Sequence, residues 1–155
     1  MTNGIVVIGA GQAGASLVAK LRELEFDGPI TLIGEESVPP YQRPPLSKKF
    51  LLGQMDEHRL YLRRAEFYSE HGIDLRLGTT VDSIDRDHRT VVLASGERLK
   101  YDKIALTTGA SAKRLPASVG GNLDGVYTLR SIADVNVIRP EFRLGRRVLV
   151  IGGGF

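Results

Sequence analysis

Gly4-Ile5-Val6-Val7-Ile8-Gly9-Ala10-Gly11-Gln12-Ala13-Gly14 begins the stretch whose reading decides the fold. Ile5, Val6, Val7 and Ile8 form a β-branched run, as expected of a strand buried on both faces of a parallel sheet. Gly9, Gly11 and Gly14 follow as G-x-G-x-x-G, then Leu17, Val18, Leu21 and Leu24 recur at helical spacing. Asp27-Gly28-Pro29 stops that helix. Residues 30–33 form a second apolar strand, with an acid, Glu35, two residues beyond it. In this context the glycines have separate tasks: Gly9 for a tight turn, Gly11 for close approach of a pyrophosphate, Gly14 for helix–sheet packing. The helix start offers free N–H groups and a positive dipole end. Glu35 stands where an acid accepts hydrogen bonds from the adenosine ribose, and an acid there disfavours a 2′-phosphate. Dinucleotide binding is therefore preferred over an ordinary glycine turn.

The remaining chain reads outward from that unit. A proline-rich loop over 36–45 precedes a short helix over 46–52, stopped by Gly53, and a second helix over 65–71, stopped by Gly72. A third strand is predicted over 73–77. Antiparallel structure is predicted at 81–85, 90–93 and 98–100, with a Ser95-Gly96 turn. A buried strand over 103–106 leads into Thr107-Thr108-Gly109. A short strand is expected over 126–129, a helix over 131–144 that Pro140 should kink or break, and a last strand over 148–151. The expected fold is α/β, a Rossmann-like doubly wound parallel sheet with a small antiparallel insert.

Val148-Leu149-Val150-Ile151-Gly152-Gly153-Gly154 repeats Ile5-Val6-Val7-Ile8-Gly9-Ala10-Gly11. It reads as the opening of a second dinucleotide fingerprint, cut off before its third glycine and helix. The expected organisation is a first dinucleotide-binding segment over 1–110 with its insert at about 80–100, a connection over 111–145, and the start of an incomplete second dinucleotide-binding domain over 146–155.

The 155 residues suffice for a real core, and 42% apolar with 25% charged content is that of an ordinary globular protein. Net charge is +3, from 21 basic and 18 acidic residues, too balanced to argue for nucleic acid. No apolar run has the length of a membrane span, and the early first strand leaves no room for a signal peptide, so a cytoplasmic location is expected. Cysteine is absent, which excludes a disulfide framework, a thiolate metal site and a redox dithiol in this chain. His58, His71 and His88 lack metal spacing. Arg59, Arg63 and Arg64 read either as ordinary solvated surface or as a basic face for an acidic ferredoxin.

Pro40-Tyr41-Gln42-Arg43-Pro44-Pro45-Leu46-Ser47-Lys48 resembles the signature of the class I ferredoxin reductases, the putidaredoxin- and rubredoxin-reductase-like flavoproteins. Tyr101 to Gly109 is similar to the strand leading into that family's Ala-Thr-Gly turn, with Thr107 where the family has Ala. Gly125 to Ser131 resembles the stretch before the family's second fingerprint. The resemblance implies FAD at the first site and a nicotinamide nucleotide, NADH, at the second. It implies that electrons pass from NADH through FAD to an iron–sulfur ferredoxin or rubredoxin. Gly9, Gly11, Ala13 and Gly14 would hold the FAD pyrophosphate, with Thr108 and Gly109 also at the cofactor. Glu35 would hold the ribose, with Glu36 beside it. Arg43 would contact the diphosphate, Val81 the adenine, and Arg130 the flavin or its linker. Lys48 would lie near flavin N5, where a cation stabilises the charge gathered on reduction. Only the strand and first glycines of the nicotinamide-nucleotide site are present, so the chain alone is expected to lack reductase activity, and the family's Gly-Asp segment lies beyond Phe155, which leaves the flavin site incomplete as well. Self-association through an unpaired sheet edge is expected. The alternatives are an apoptosis-inducing-factor-like flavoprotein and a scaffold without cofactor.

Overall fold

The computed structural model describes residues 4–152. The first glycine motif sits at the centre of a four-stranded parallel sheet. β1 (Ile5–Ile8) lies between β2 (Ile30–Ile33) and β7 (Lys103–Leu106), and β3 (Ile73–Arg76) is added outside β2, in the order β3-β2-β1-β7. The register sets Ile8 opposite both Ile33 and Leu106. The four strand ends, and the loops that leave them, therefore fall on one side of the sheet.

Alternation of side chains across each strand explains why these short apolar runs are buried on both faces. Val7, Ile30, Leu32 and Ile73 face α1 (Gln12–Glu23) and α2 (Ala65–Glu70), where Val18 and Tyr68 complete one core. Val6, Ile8 and Ile33 face the other way. They pack against Val91, Leu93 and Tyr101 of the antiparallel layer. That layer is built from β4 (Val81–Asp85), β5 (Thr90–Leu93) and β6 (Arg98–Lys100) in the order β4-β5-β6. The Ser95-Gly96 turn is as expected, with Gly96 at φ +88°. Helices cover one face of the parallel sheet and the small antiparallel insert covers the other.

Arg22 fastens the helical layer at its far end. Its Nε and Nη2 donate to the carbonyls of His71 and Gly72, at 2.7 and 2.8 Å, and its Nη1 donates to those of Phe26 and Gly28. One guanidinium thus ties the end of α1 to the turn between α2 and β3, with charge-assisted bonds stronger than neutral ones.

Two compact units are distinguished. The first comprises residues up to Gln42 together with His58–Ala110; the second comprises Arg43–Glu57 and the residues from Ser111 onward. In the first, the excursion 43–57 leaves and returns through an antiparallel bridge between Tyr41 and Tyr61, flanked by bonds from Gln42 N to Leu60 O and Leu62 N to Pro40 O. In the second, α3 (Ile132–Ile138) packs on a 3-10 turn at Pro44–Ser47 and buries Ile132, Val135 and Ile138. A capping box starts α3: Asp134 N donates to Ser131 Oγ, and Ser131 N donates to Asp134 Oδ2.

Four expectations are corrected. The 46–52 helix is instead the 3-10 turn Pro44–Ser47, continued by turns to Gly53 at φ +69°. Lys48, at φ −129° and ψ −117°, leaves helical geometry. The 131–144 helix is shorter, Ile132–Ile138; Pro140 breaks it as expected, in a 3-10 turn where its missing N–H cannot continue the ladder. Residues 126–129 and 148–151 form no strand. No ladder partner for either segment exists among the described residues, and Leu149 and Val150 remain 83% and 78% exposed. Apolar, β-branched composition is insufficient without a neighbour to take the backbone hydrogen bonds. Gly153 and Gly154 of the repeated motif lie outside the described residues.

Tyr68 is buried with its hydroxyl unpaired. Burial pushes its phenol up to about 12. The raised value means that the fold favours the neutral form. Its contribution is intact below the unfolded value of about 10 and is lost as pH rises through the folded one. Tyr68→Phe should therefore stabilise the chain by about 1 kcal/mol at neutral pH, by removing a buried unpaired hydroxyl, and should flatten the stability loss between pH 10 and 12. Urea unfolding across that range checks both, and identical alkaline limbs for the two proteins would refute the assignment.

Candidate dinucleotide site

Chain order reverses across β1: β2 and β3 are laid down on one side, β7 on the other. The crevice beyond the strand ends at such a switch point is where open α/β sheets bind ligands. The β1–α1 turn fills this position, and three glycines in it meet three different surroundings. A Cβ on Gly9 would lie 2.2 Å from the Thr107 carbonyl oxygen, and Gly9 adopts φ +111°. A Cβ on Gly14 would lie 2.2 Å from the Gly9 carbonyl oxygen and 2.9 Å from Thr107 Oγ1. Both glycines are required by the protein's own packing. Gly11 is different, because a Cβ there would meet nothing within 4 Å. The fold itself gives no reason for its missing side chain, whereas a ligand against the backbone would.

Thr107 closes the turn. Its Oγ1 donates to Gly9 O at 2.8 Å and to Ile8 O at 3.1 Å, and its N–H donates to Ile8 O. The hydroxyl of Thr107, which stands where the resembled family has alanine, therefore binds the turn to the end of β7. Thr108 and Gly109 follow it as exposed residues at the same strand end.

Helix α1 begins at this turn without a cap. Gly11 is the N-cap residue, no side chain bonds the first-turn N–H groups, and no acid occupies the first turn. Gln12 and Ala13 are exposed. Its N-terminus consequently presents unneutralised positive potential next to the open Gly11, which suits a diphosphate.

The acid at the end of β2 is positioned by Gly34, a residue the sequence reading did not single out. A Cβ on Gly34 would lie 2.5 Å from the Ala10 Cβ, so glycine lets the β1–α1 turn rest against β2. Its only sequence signal is a glycine directly before the acid. Gly34 N donates to Arg76 O, Thr79 N to Gly34 O and Gly78 N to Glu36 O, which fixes residues 34–36 to the end of β3. Glu35 is exposed, and its carboxylate makes no hydrogen bond or ion pair with the described residues. Glu36 is engaged: its Oε2 accepts from the hydroxyl of buried Tyr41 at 2.6 Å. The two adjacent acids are thus not equivalent, and Glu35 is the one open to a ligand. Past it, a groove of about 380 Å³ runs between Leu77, Gly78, Thr79, Thr80 and Leu93, and half-buried Val81 follows its wall at the start of β4.

Gly9, Gly11, Ala13, Gly14, Glu35, Thr108 and Gly109 therefore gather at one end of the sheet. Arg43, Lys48 and Arg130 belong to the second unit. There Arg43 Nη1 donates to Arg130 O at 2.6 Å, and Arg130 N donates to Asp134 Oδ2. Lys48 is exposed on the turn between them in sequence. Gly152 repeats the backbone of its counterpart Gly9, with φ +112°. No cluster of metal-ligating side chains occurs among the described residues, and no helix among them is long and apolar enough to cross a membrane.

The switch-point glycine turn, the uncapped helix and the free acid make this a Rossmann-type dinucleotide-binding arrangement. The chain belongs to the pyridine nucleotide-disulphide oxidoreductase family, whose model matches residues 3–155. It is 44% identical over 151 residues to the 3-phenylpropionate/cinnamic acid dioxygenase ferredoxin--NAD(+) reductase component of Photorhabdus laumondii, covering 96% of this chain and 37% of that protein. It is 42% identical over 150 residues to a rubredoxin-NAD(+) reductase of Pseudomonas putida, covering 97% and 39%. Its fold matches a chain of the covalent putidaredoxin reductase–putidaredoxin complex with a TM-score of 0.83 at 36% identity, covering 89% of this chain and 34% of that one. The chain thus spans little more than a third of the length of these relatives. With no cysteine in the chain, the disulphide of the family description has no counterpart in these residues.

The different surroundings of the glycines are directly testable. Gly9→Ala and Gly14→Ala should each cost about 2 kcal/mol or more in folding stability, since the added carbon meets backbone or a packed side chain. Gly11→Ala should leave stability within about 0.5 kcal/mol while weakening dinucleotide binding. Thermal melts paired with ligand titration distinguish these cases, and a Gly11→Ala protein that melts like Gly14→Ala would contradict the assignment.

Proposed function

We propose that the chain is the FAD-binding part of a flavoprotein reductase that passes electrons from NADH, through FAD, to a ferredoxin or rubredoxin. The observation that carries this reading is the open Gly11 beside the uncapped start of α1, with the free carboxylate of Glu35 at the neighbouring strand end. Those groups are complementary to the ADP half of the cofactor: N–H groups of Gly11 to Gly14 for the diphosphate and Glu35 for the ribose. The relatives named above, a ferredoxin--NAD(+) reductase component and a rubredoxin-NAD(+) reductase, support the choice of FAD and of an iron–sulfur partner.

When bound, FAD supplies acceptance of a hydride and its release as single electrons. The chain's own residues have simpler tasks. The α1 dipole and the glycine backbone neutralise diphosphate charge without a basic side chain. Glu35 accepts hydrogen bonds from the ribose hydroxyls and opposes a 2′-phosphate. Glu36, already bonded to Tyr41, holds the 36–41 loop rather than the ribose. Val81 and the groove before it, lined by the apolar Leu77 and Leu93 and the polar Arg76, Thr79, Thr80 and Glu97, meet the adenine, and Thr108 and Gly109 border the cofactor at the end of β7. Arg43 and Arg130, linked to one another, supply positive charge toward the diphosphate and the flavin linker. Lys48 supplies the cation that stabilises negative charge at the flavin. The reading places the protein in the cytoplasm, where NADH is kept.

In the full-length protein, Glu35→Ala should weaken FAD binding by about 1–3 kcal/mol, the scale of charge-assisted hydrogen bonds left unmade. Glu36→Gln, which keeps an acceptor for Tyr41, should leave FAD affinity within about twofold, a difference of about 0.4 kcal/mol. Titration of the apoprotein with FAD measures both. Equal losses for the two variants, or none for Glu35→Ala, would overturn the division of labour.

A further inference from the structure

Lys48 stands on an irregular turn between two attachments made by arginines from opposite ends of the second unit. Five residues before it, Arg43 Nη1 donates to Arg130 O at 2.6 Å, at the lead-in to α3. Two residues after it, Phe50 O accepts from Arg139 Nη2 at 2.5 Å, at the other end of α3. Arg139 also lays its guanidinium over the Phe50 ring, 4.7 Å from the centroid. Phe50 is itself buried at 3% exposure. Each segment therefore gives one arginine to a backbone carbonyl of the other, and α3 is braced at its start by the Ser131–Asp134 capping box.

The local backbone does not hold Lys48 by regular structure. The 3-10 turn ends at Ser47, and turn bonds of mixed spacing follow: Lys48 N and Phe50 N both donate to Pro45 O, Leu52 N to Lys48 O, Gly53 N to Phe50 O and Gln54 N to Lys49 O, so Arg139 adds a second donor to the Phe50 carbonyl from outside the turn. A lysine side chain is a point charge on a flexible stem. What a fold can fix is where the stem begins. Arg139 does so at a cost, because its Nε is buried without a partner. A shorter or more flexible donor could reach one carbonyl without stranding that N–H. It could not also stack a planar cation on Phe50, which fixes the ring as well as the carbonyl.

We infer that Arg139 is a positioning residue for Lys48, holding the Lys48 turn through the Phe50 carbonyl and ring. This rests on the reading of Lys48 as the cation that serves the flavin. Arg139 acts through Lys48, by its bond to the Phe50 carbonyl and its stacking on the Phe50 ring. Its replacement should therefore matter only while Lys48 is present.

The test uses the full-length flavoprotein with Arg139→Met, Arg139→Lys, Lys48→Ala and the double variant Lys48→Ala/Arg139→Met. The readouts are the flavin midpoint potential, the rate of flavin reduction by NADH, and backbone hydrogen exchange over 43–57. Arg139→Met should accelerate exchange across 48–53, lower the midpoint potential in the same direction as Lys48→Ala, and slow reduction about tenfold, as small misplacements do. Arg139→Lys, which keeps a positive donor for the Phe50 carbonyl but loses the planar stacking on the ring, should recover only part of the potential and rate. It also keeps the test decisive if the methionine variant folds poorly. In the Lys48→Ala background, Arg139→Met should move neither the potential nor, by more than about twofold, the rate. Equal losses in both backgrounds, or an unshifted potential in Arg139→Met, would overturn the inference and leave the role of Lys48 standing. An unaltered potential and rate in Lys48→Ala would instead remove the flavin role of Lys48, and the inference with it.

Discussion

The close approach of the β1–α1 turn to the end of β7 is the constraint on which the site depends. Gly9 and Gly14 have no space for even one carbon, and Thr107 bonds the turn from the β7 side through its hydroxyl and its N–H. This contact sets the start of α1 at the switch point of the sheet. It leaves the helix N-terminus uncapped and Gly11 facing open space. Gly34 extends the same logic to β2, because its missing side chain lets Ala10 rest against that strand end and brings Glu35 alongside. Four strand ends and two glycine contacts therefore define the site before any polar side chain is considered.

Charge is placed sparingly around it. The start of α1 offers backbone N–H groups and a helix dipole, which need no side-chain ordering. Glu35 and Glu36 show how one position can separate two identical side chains: the buried Tyr41 hydroxyl takes the second and leaves the first free. The second unit uses arginines differently. Arg43 and Arg139 spend donors on backbone carbonyls, where they order a segment that has little regular structure of its own.

Much of the first unit was legible in the sequence because its elements are determined locally. Ile5–Ile8 and Ile30–Ile33 are apolar runs followed directly by glycine, Lys103–Leu106 is a largely apolar run ahead of Thr107-Thr108-Gly109, and all three are strands. The Ser95-Gly96 turn fixed the hairpin β5–β6, and Gly72 marked the end of α2. What was not legible depends on distant partners. Residues 148–151 have a strand's composition but no neighbour among the described residues. The turn carrying Lys48 has the composition of a helix, and its partners Arg130 and Arg139 lie some ninety residues further along the chain. The Tyr41–Glu36 bond and the task of Gly34 appear only once β2 and the first glycine turn are set side by side. Sequence gave Glu35 its candidacy through spacing, yet could not show that Glu36 was already occupied.

The central claim is that this chain recognises the adenosine diphosphate half of a flavin dinucleotide. It is tested most directly by titrating the full-length apoprotein with FAD and, separately, with FMN, which shares the flavin and one phosphate but lacks the adenosine. The account predicts that FAD binds at least about a hundredfold more tightly, equivalent to about 2.7 kcal/mol, because the second phosphate, ribose and adenine meet α1, Glu35 and the groove beyond it. Equal affinities for FAD and FMN would contradict it.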